Sequence, residues 1–179
     1  MESLDLRFSG KWLQRGFWLY VWEVTHPEYR ELLYYVGRTG DSSSINAASP
    51  FNRIGQHLDL RMSASAAMLS KNLKKAGVND ITRCQFRIVA VGPLFPETSV
   101  KDRKNPTKKE KESHDRDRNK IAALERDLEL AMRNAEYRVI NKVKSKMTVD
   151  ENVWLGVRSE FAKYFPRLNN ITKEGAARK

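Results

Sequence analysis

Two short runs of aromatic and β-branched residues near the start of the chain limit its fold more than any other feature. Phe17, Trp18, Leu19, Tyr20, Val21, Trp22 and Val24 form the first; Leu32, Leu33, Tyr34, Tyr35 and Val36, ending at Gly37, form the second. Such side chains lose rotamer freedom in a helix and fit the pleated, half-buried surface of a sheet. Residues 17–24 and 32–37 are therefore predicted strands. The stretch between them, residues 25–31, is polar and contains Pro27, which suits an antiparallel hairpin with a longer turn. Tyrosines from the two strands then become neighbours.

The rest of the chain alternates between helical and loop signals. Residues 37–44 read as loop, and Ser49 followed by Pro50 supplies a capping hydroxyl and a first-turn proline, so a helix is expected to begin near residue 50. A second helix is predicted over residues 64–75 from Ala67, Met68, Leu69 and Leu73, stopping at Gly77. A third strand follows at residues 86–91. Residues 98–118 are almost wholly polar, either an exposed, partly disordered excursion or the polar start of the next helix. Ile121, Leu124, Leu128 and Met132 then mark a helix with one core face, and Glu125 lies at the margin of that face. A last amphipathic helix is expected within residues 153–165, and residues 171–179 read as a frayed basic tail.

The fold class that results is α/β, with a small, mainly antiparallel three-stranded sheet flanked by helices. Residues 1–141 form the domain, with a polar insertion at 97–118; residues 142–179 form a C-terminal helical extension and tail. With 179 residues and 40% hydrophobic content the chain can bury a core. No apolar run approaches the roughly 18 residues of a membrane span, and the first residues lack a signal-peptide pattern, so a cytoplasmic protein with no membrane partner is expected. The single cysteine, Cys84, excludes an internal disulfide, a multi-cysteine zinc site and an iron–sulfur cluster; it reads as a buried structural thiol in a strand. The formal charge of +11 points to a polyanionic partner, nucleic acid first and an anionic membrane surface second.

Against this background one ordered set of residues stands out. Trp18-Leu19-Tyr20 lies on the first strand and Tyr35-Val36-Gly37 on the second. Arg53 and His57 share the first helix at i and i+4, and Leu124-Glu125 with Leu128 lies on a late helix, followed by Val139-Ile140-Asn141. In this order and spacing, over roughly residues 16–141, the chain resembles the GIY-YIG endonuclease superfamily. It departs from the family pattern in having Trp18 for the usual first glycine and a longer loop before Arg53. The resemblance implies a metal-dependent DNA endonuclease with Tyr20, Tyr35, Arg53, His57 and Glu125 as catalytic residues. Glu125 would be the metal ligand, and Mg²⁺ the cofactor, with Mn²⁺ able to substitute.

These residue types suit that chemistry. Phosphodiester hydrolysis needs an activated water, stabilised charge on the phosphoryl oxygens and help for the leaving alkoxide. Mg²⁺ keeps several waters and takes only one or two carboxylates, so one glutamate suffices. Arg53 offers a fixed fork of donors to a phosphate, and His57 lies one turn along the same helix face. By the resemblance either Tyr35 or Tyr20 positions or deprotonates the attacking water. Tyr34 competes with Tyr35, because adjacent strand residues face opposite sides. Glu129 and Glu136 compete with Glu125, which is preferred for the leucines beside it. Taken singly, each of these is more often an ordinary strand tyrosine, solvated arginine or helix-surface charge.

His26 and His114 lie in polar stretches, have no companion at metal spacing, and are given no role. Arg38, Lys71, Lys74, Lys75 and Arg87, with Arg83, are candidates to line a phosphate-gripping groove on double-stranded DNA. Residues 101–111 either wrap DNA or stay a solvated loop. The chain carries little besides the domain itself, which favours a site-specific, restriction-type or phage-associated enzyme, cutting as a homodimer or by sequential nicking. A structure-specific repair or recombination nuclease and a non-catalytic nucleic-acid-binding module are the alternatives.

Overall fold

The computed structural model describes residues 5–40, 44–61, 64 and 66–170. Strand β1 (Phe17–His26) runs antiparallel to β2 (Tyr29–Arg38), and β3 (Gln85–Phe95) pairs with the other edge of β1, giving the order β2-β1-β3. As the middle strand, β1 is covered on both faces, and every residue from Phe17 to Trp22 is buried. This is why it reads as an unbroken apolar run rather than an alternation. The hairpin turn is tighter than expected, with only Pro27 and Glu28 outside the strands. Thr25 pairs with Gln85, and His26 pairs with Tyr29, their rings 5.2 Å apart, so polar residues are drawn into the ladder by their neighbours.

Among the described residues four helices complete the α/β fold: α1 (Pro50–His57), α2 (Met68–Lys75), α3 (Lys108–Asn134) and α4 (Glu151–Ala162). Tyr20, Trp22, Val24, Leu33 and Tyr35 pack with Leu69, Leu73 and Val78 on the α1–α2 side. Phe17, Leu19, Val21, Tyr34 and Val36 pack with Ile121, Leu124, Leu128 and Phe161 on the α3–α4 side. Helix α4 therefore shares the main core, and the Phe161 and Phe165 rings lie beside each other under it. Among the described residues no helix is long and apolar enough to cross a membrane.

Three boundaries differ from the sequence reading. Helix α2 starts at Met68 rather than residue 64; Ala67 is buried with non-helical backbone and offers no capping side chain. It stops as expected at Gly77 (φ 96°), where Val78 N donates to Leu73 O and Gly77 N to Lys74 O, closing a Schellman turn. Helix α3 begins well before Ile121. Glu110 N donates to the Thr107 hydroxyl at 3.3 Å, and Thr107 N donates to the Glu110 carboxylate at 2.6 Å, a reciprocal capping box. The second half of the polar excursion is therefore helix. The expected last helix ends at Ala162, and Pro166–Asn170 forms a 3₁₀ turn. The expected basic tail lies outside the described residues.

The first half of the excursion is held down by one carboxylate. Glu97 receives Arg15 (2.7 Å to each oxygen), Arg103 (3.1 and 2.9 Å) and the Ala47 backbone N–H (2.9 Å), tying three distant segments together. Burial pushes its pKa up, but these donors outweigh that and hold it down at about 2. Cys84 is half-buried and sits just before β3, at the end of the 3₁₀ turn Ile81–Arg83, not inside the strand; burial raises its thiol pKa. His26 and His114 are buried rather than solvated, and His114 packs 5.3 Å from the Phe17 ring.

Candidate active site

The strand register decides between the adjacent tyrosines. Tyr34 turns to the α3–α4 side against Tyr137 and Phe165, whereas Tyr35 turns to the α1–α2 side with its ring 5.2 Å from His57. Tyr20 pairs across the hairpin with Gly37, and Trp22 with Tyr35, so Tyr20 and Tyr35 are diagonal neighbours on one face. Gly37 is required there: a Cβ would lie 2.7 Å from Tyr20 Cζ and 2.8 Å from its hydroxyl oxygen, and Tyr20 is fully buried. The glycine clears the space that the first tyrosine fills.

Helix α1 delivers Arg53 and His57. Its start is fixed by Ser49, whose hydroxyl accepts from Asn52 N, and by Pro50 in the first turn. Its end is held by α2, where the Ser70 hydroxyl donates to the His57 carbonyl at 3.0 Å. His57 Nε2 lies 2.6 Å from the Tyr20 hydroxyl, which also contacts the Arg38 carbonyl at 3.0 Å. A carbonyl can only accept, so the Tyr20 proton points to Arg38 O, and His57 donates its Nε2–H to the phenol oxygen. His57 Nδ1 is then a bare acceptor, buried without a partner among the described residues. Burial, with the positive charge of Arg53 beside it, pushes the His57 pKa down to about 3, so the ring is neutral at physiological pH.

Burial pushes Tyr20 up to about 12, with Arg53 pulling the other way by charge and hydrogen bond. Tyr35 is raised still further, by burial and by the nearby Tyr20 and Glu125, again opposed by Arg53. Unlike that of Tyr20, the Tyr35 hydroxyl makes no hydrogen bond to any described residue.

Glu125 comes from α3, whose buried face of Ile121, Leu124 and Leu128 fixes the helix against the sheet. Arg38 Nε donates to its Oε2 at 3.1 Å, while Oε1 takes no hydrogen bond from the described residues. Burial raises the Glu125 pKa to about 7 in spite of Arg38 and Arg53, with Glu129 adding to the rise. One arginine thus acts on all four other residues: Arg53 perturbs Tyr20, Tyr35, His57 and Glu125 together. Glu129, one turn on, has a different task. It is buried and bound by Arg133, which also donates to the Asn141 carbonyl at 2.6 Å.

Asn141 belongs with the site more closely than its place in the sequence suggests. Its side-chain amide donates to Val36 O at 2.8 Å and accepts from Val36 N at 3.0 Å, continuing the edge of β2 that residues 138–140 pair with through Tyr34. The backbone between Tyr35 and Gly37 is thereby clamped. Position alone signalled this residue; its pairing is a tertiary fact.

The candidate phosphate contacts do not form one groove. Arg38 sits inside the site as the partner of Glu125 and also donates to Gly40 O. Arg87 pairs with Glu23 at 3.4 Å and lies 5.9 Å from the centre of the Tyr164 ring, on the α4 side of the sheet. Arg83 is bound to Glu28. Lys71, Lys74 and Lys75 are exposed on α2, a helix of the site's own face. No group of three or more His, Cys, Asp or Glu side chains able to hold a metal occurs among the described residues. No protein-family model, curated protein or solved structure shows significant similarity to the chain.

Proposed function

We propose that this protein is a metal-dependent endonuclease of GIY-YIG type that hydrolyses phosphodiester bonds of double-stranded DNA at specific sites. The observation that carries the reading is the meeting of Tyr20, Tyr35, Arg53, His57 and Glu125, drawn from two strands and two helices, with Tyr20, Tyr35, His57 and Glu125 each shifted in pKa by burial. Displacements of this size concentrate where side chains do chemistry.

The residues fit a Mg²⁺ ion held by a single carboxylate. Glu125 has one oxygen without a hydrogen bond among the described residues, and burial raises its pKa more than Arg38 and Arg53 lower it, a balance that the further positive charge of a divalent ion would reverse. Bound there, the ion supplies Lewis-acid stabilisation of the phosphoryl oxygens. Arg53 presents its fork of donors to the scissile phosphate as negative charge builds. Tyr35, whose hydroxyl is not engaged by the described residues, orients the attacking water. It is fully protonated at neutral pH and becomes a base only when cationic charge lowers its raised pKa. Neutral His57 holds the Tyr20 hydroxyl in place through its Nε2–H, so Tyr20 positions rather than attacks.

Digestion of long linear duplex with Mg²⁺ tests this. Discrete fragments are expected; cleavage confined to flaps or branches would replace site specificity with a repair role. No cleavage of linear or branched DNA, with binding retained, would leave a nucleic-acid-binding module.

A further inference from the structure

A cleft of about 390 Å³ opens between the start of α3 and the segments that Glu97 ties down. Its lining includes four cations, Arg103, Lys104, Lys111 and Arg118, against one carboxylate, Asp115, which Arg118 engages at 3.0 Å. We propose that this cleft is a second DNA contact, holding backbone phosphates of the duplex whose scissile bond lies at Glu125.

Two observations separate it from an ordinary solvated charge run. First, its outer wall is fixed. Glu97 binds Arg103 and the Ala47 backbone, and Arg103 also donates to the Asn46 side chain at 2.7 Å, so the loop stands against Ser44 and Ile45. Lys104 and Lys111, by contrast, are exposed and make no ion pair with any described residue, leaving two ammonium groups for a ligand. Second, the cleft is aligned with the site. Lys111, Arg118 and Glu125 follow each other at seven-residue intervals on α3, hence on one stripe of the helix. At 1.5 Å per residue Arg118 lies about 10 Å and Lys111 about 21 Å from Glu125 along the axis. Phosphates of one strand rise about 3.4 Å per nucleotide along a duplex, so the stripe spans about three to six nucleotides. Helix α3 thus carries the metal-ligand candidate at one point and backbone contacts at another.

The proposal rests on the nuclease reading only for what happens at Glu125; the contact itself is measured without cleavage. Anisotropy of a labelled duplex of about 30 base pairs, in chelator, is followed as salt rises from about 50 to about 300 mM. Lys104→Ala/Lys111→Ala is compared with wild type and with a charge-matched control, Lys11→Ala/Lys163→Ala, at the α4 end of the sheet. Each lost phosphate contact lowers the slope of log K against log salt by about 0.9, so the cleft pair is expected to flatten it by about two units, the control by far less. An unchanged slope, or an equal change in the control, overturns the cleft. So does tighter binding of duplex RNA than DNA through the same two lysines. A protein that cuts DNA with an unchanged slope loses the cleft and keeps the nuclease reading. One that binds through the cleft and never cuts keeps the cleft alone.

Discussion

The two faces of the sheet are built to different ends. On the α3–α4 face Phe17, Leu19, Val21 and Val36 meet Ile121, Leu124, Leu128 and Phe161, with Thr39 bound to both Trp18 and Gly16 and Tyr137 accepting from Arg167. On the α1–α2 face Tyr20, Tyr35 and His57 are buried, with His57 Nδ1 and Trp22 Nε1 lacking partners among the described residues. Each such buried group costs about 1–3 kcal/mol. The same sheet supports both, and the difference teaches where stability is gained and where it is spent on poised groups.

The largest effect expected is on the packed face. Phe161→Ala removes a fully buried ring and should cost about 3–5 kcal/mol in chemical denaturation. A loss below about 1 kcal/mol would mean that α4 is not part of the core.

Next comes the acid limb of the site face. The His57 pKa is lowered from 6.5 to about 3 in the folded state, so the stability it contributes is present above 6.5 and is lost as pH falls toward 3. Wild type should lose about 3 kcal/mol between pH 6.5 and about pH 4, and His57→Asn should flatten that limb. The Glu97 contribution has the same sign but is lost only below 4.5, so the two separate along the pH axis. Parallel acid limbs for wild type and His57→Asn would remove the buried neutral histidine from the account.

Glu125 has the opposite sign. Its pKa is raised from 4.5 to about 7, so the contribution is present below 4.5 and is lost as pH rises through about 7. Metal-free Glu125→Gln should therefore be roughly 1–3 kcal/mol more stable than wild type at about pH 8, and equal to it near pH 4.5. Added Mg²⁺ should raise the melting temperature of wild type alone.

The smallest change is on the packed side. Glu136 ends α3 at φ 61°, the left-handed conformation in which Tyr137 N reaches Met132 O. Glycine there should stabilise by about 1 kcal/mol without altering cleavage.

Much of this contrast was legible in the sequence, for identifiable reasons. The strands announce themselves because β1 is buried on both faces, and Ser49-Pro50 and Gly77 mark helix ends by local chemistry. The start of α3 was also written locally, in Thr107 and Glu110, but the polarity of its first turns hid it. The hairpin turn was overestimated because Thr25 and His26 join the sheet only through Gln85 and Tyr29. The pairing of Arg38 with Glu125, the clamp of Asn141 on Val36 and the anchoring by Glu97 join residues far apart in the chain, and no local pattern encodes them.

The most direct measurement is Mg²⁺-dependent nicking of supercoiled plasmid by wild type, Arg53→Ala and Glu125→Gln, each checked for folding by circular dichroism. Wild type should cut, and both variants should be slower by about 10²-fold or more while keeping their fold. Wild-type protein that leaves the plasmid intact, or variants that cut as fast as wild type, would contradict the assignment of this face as a catalytic site.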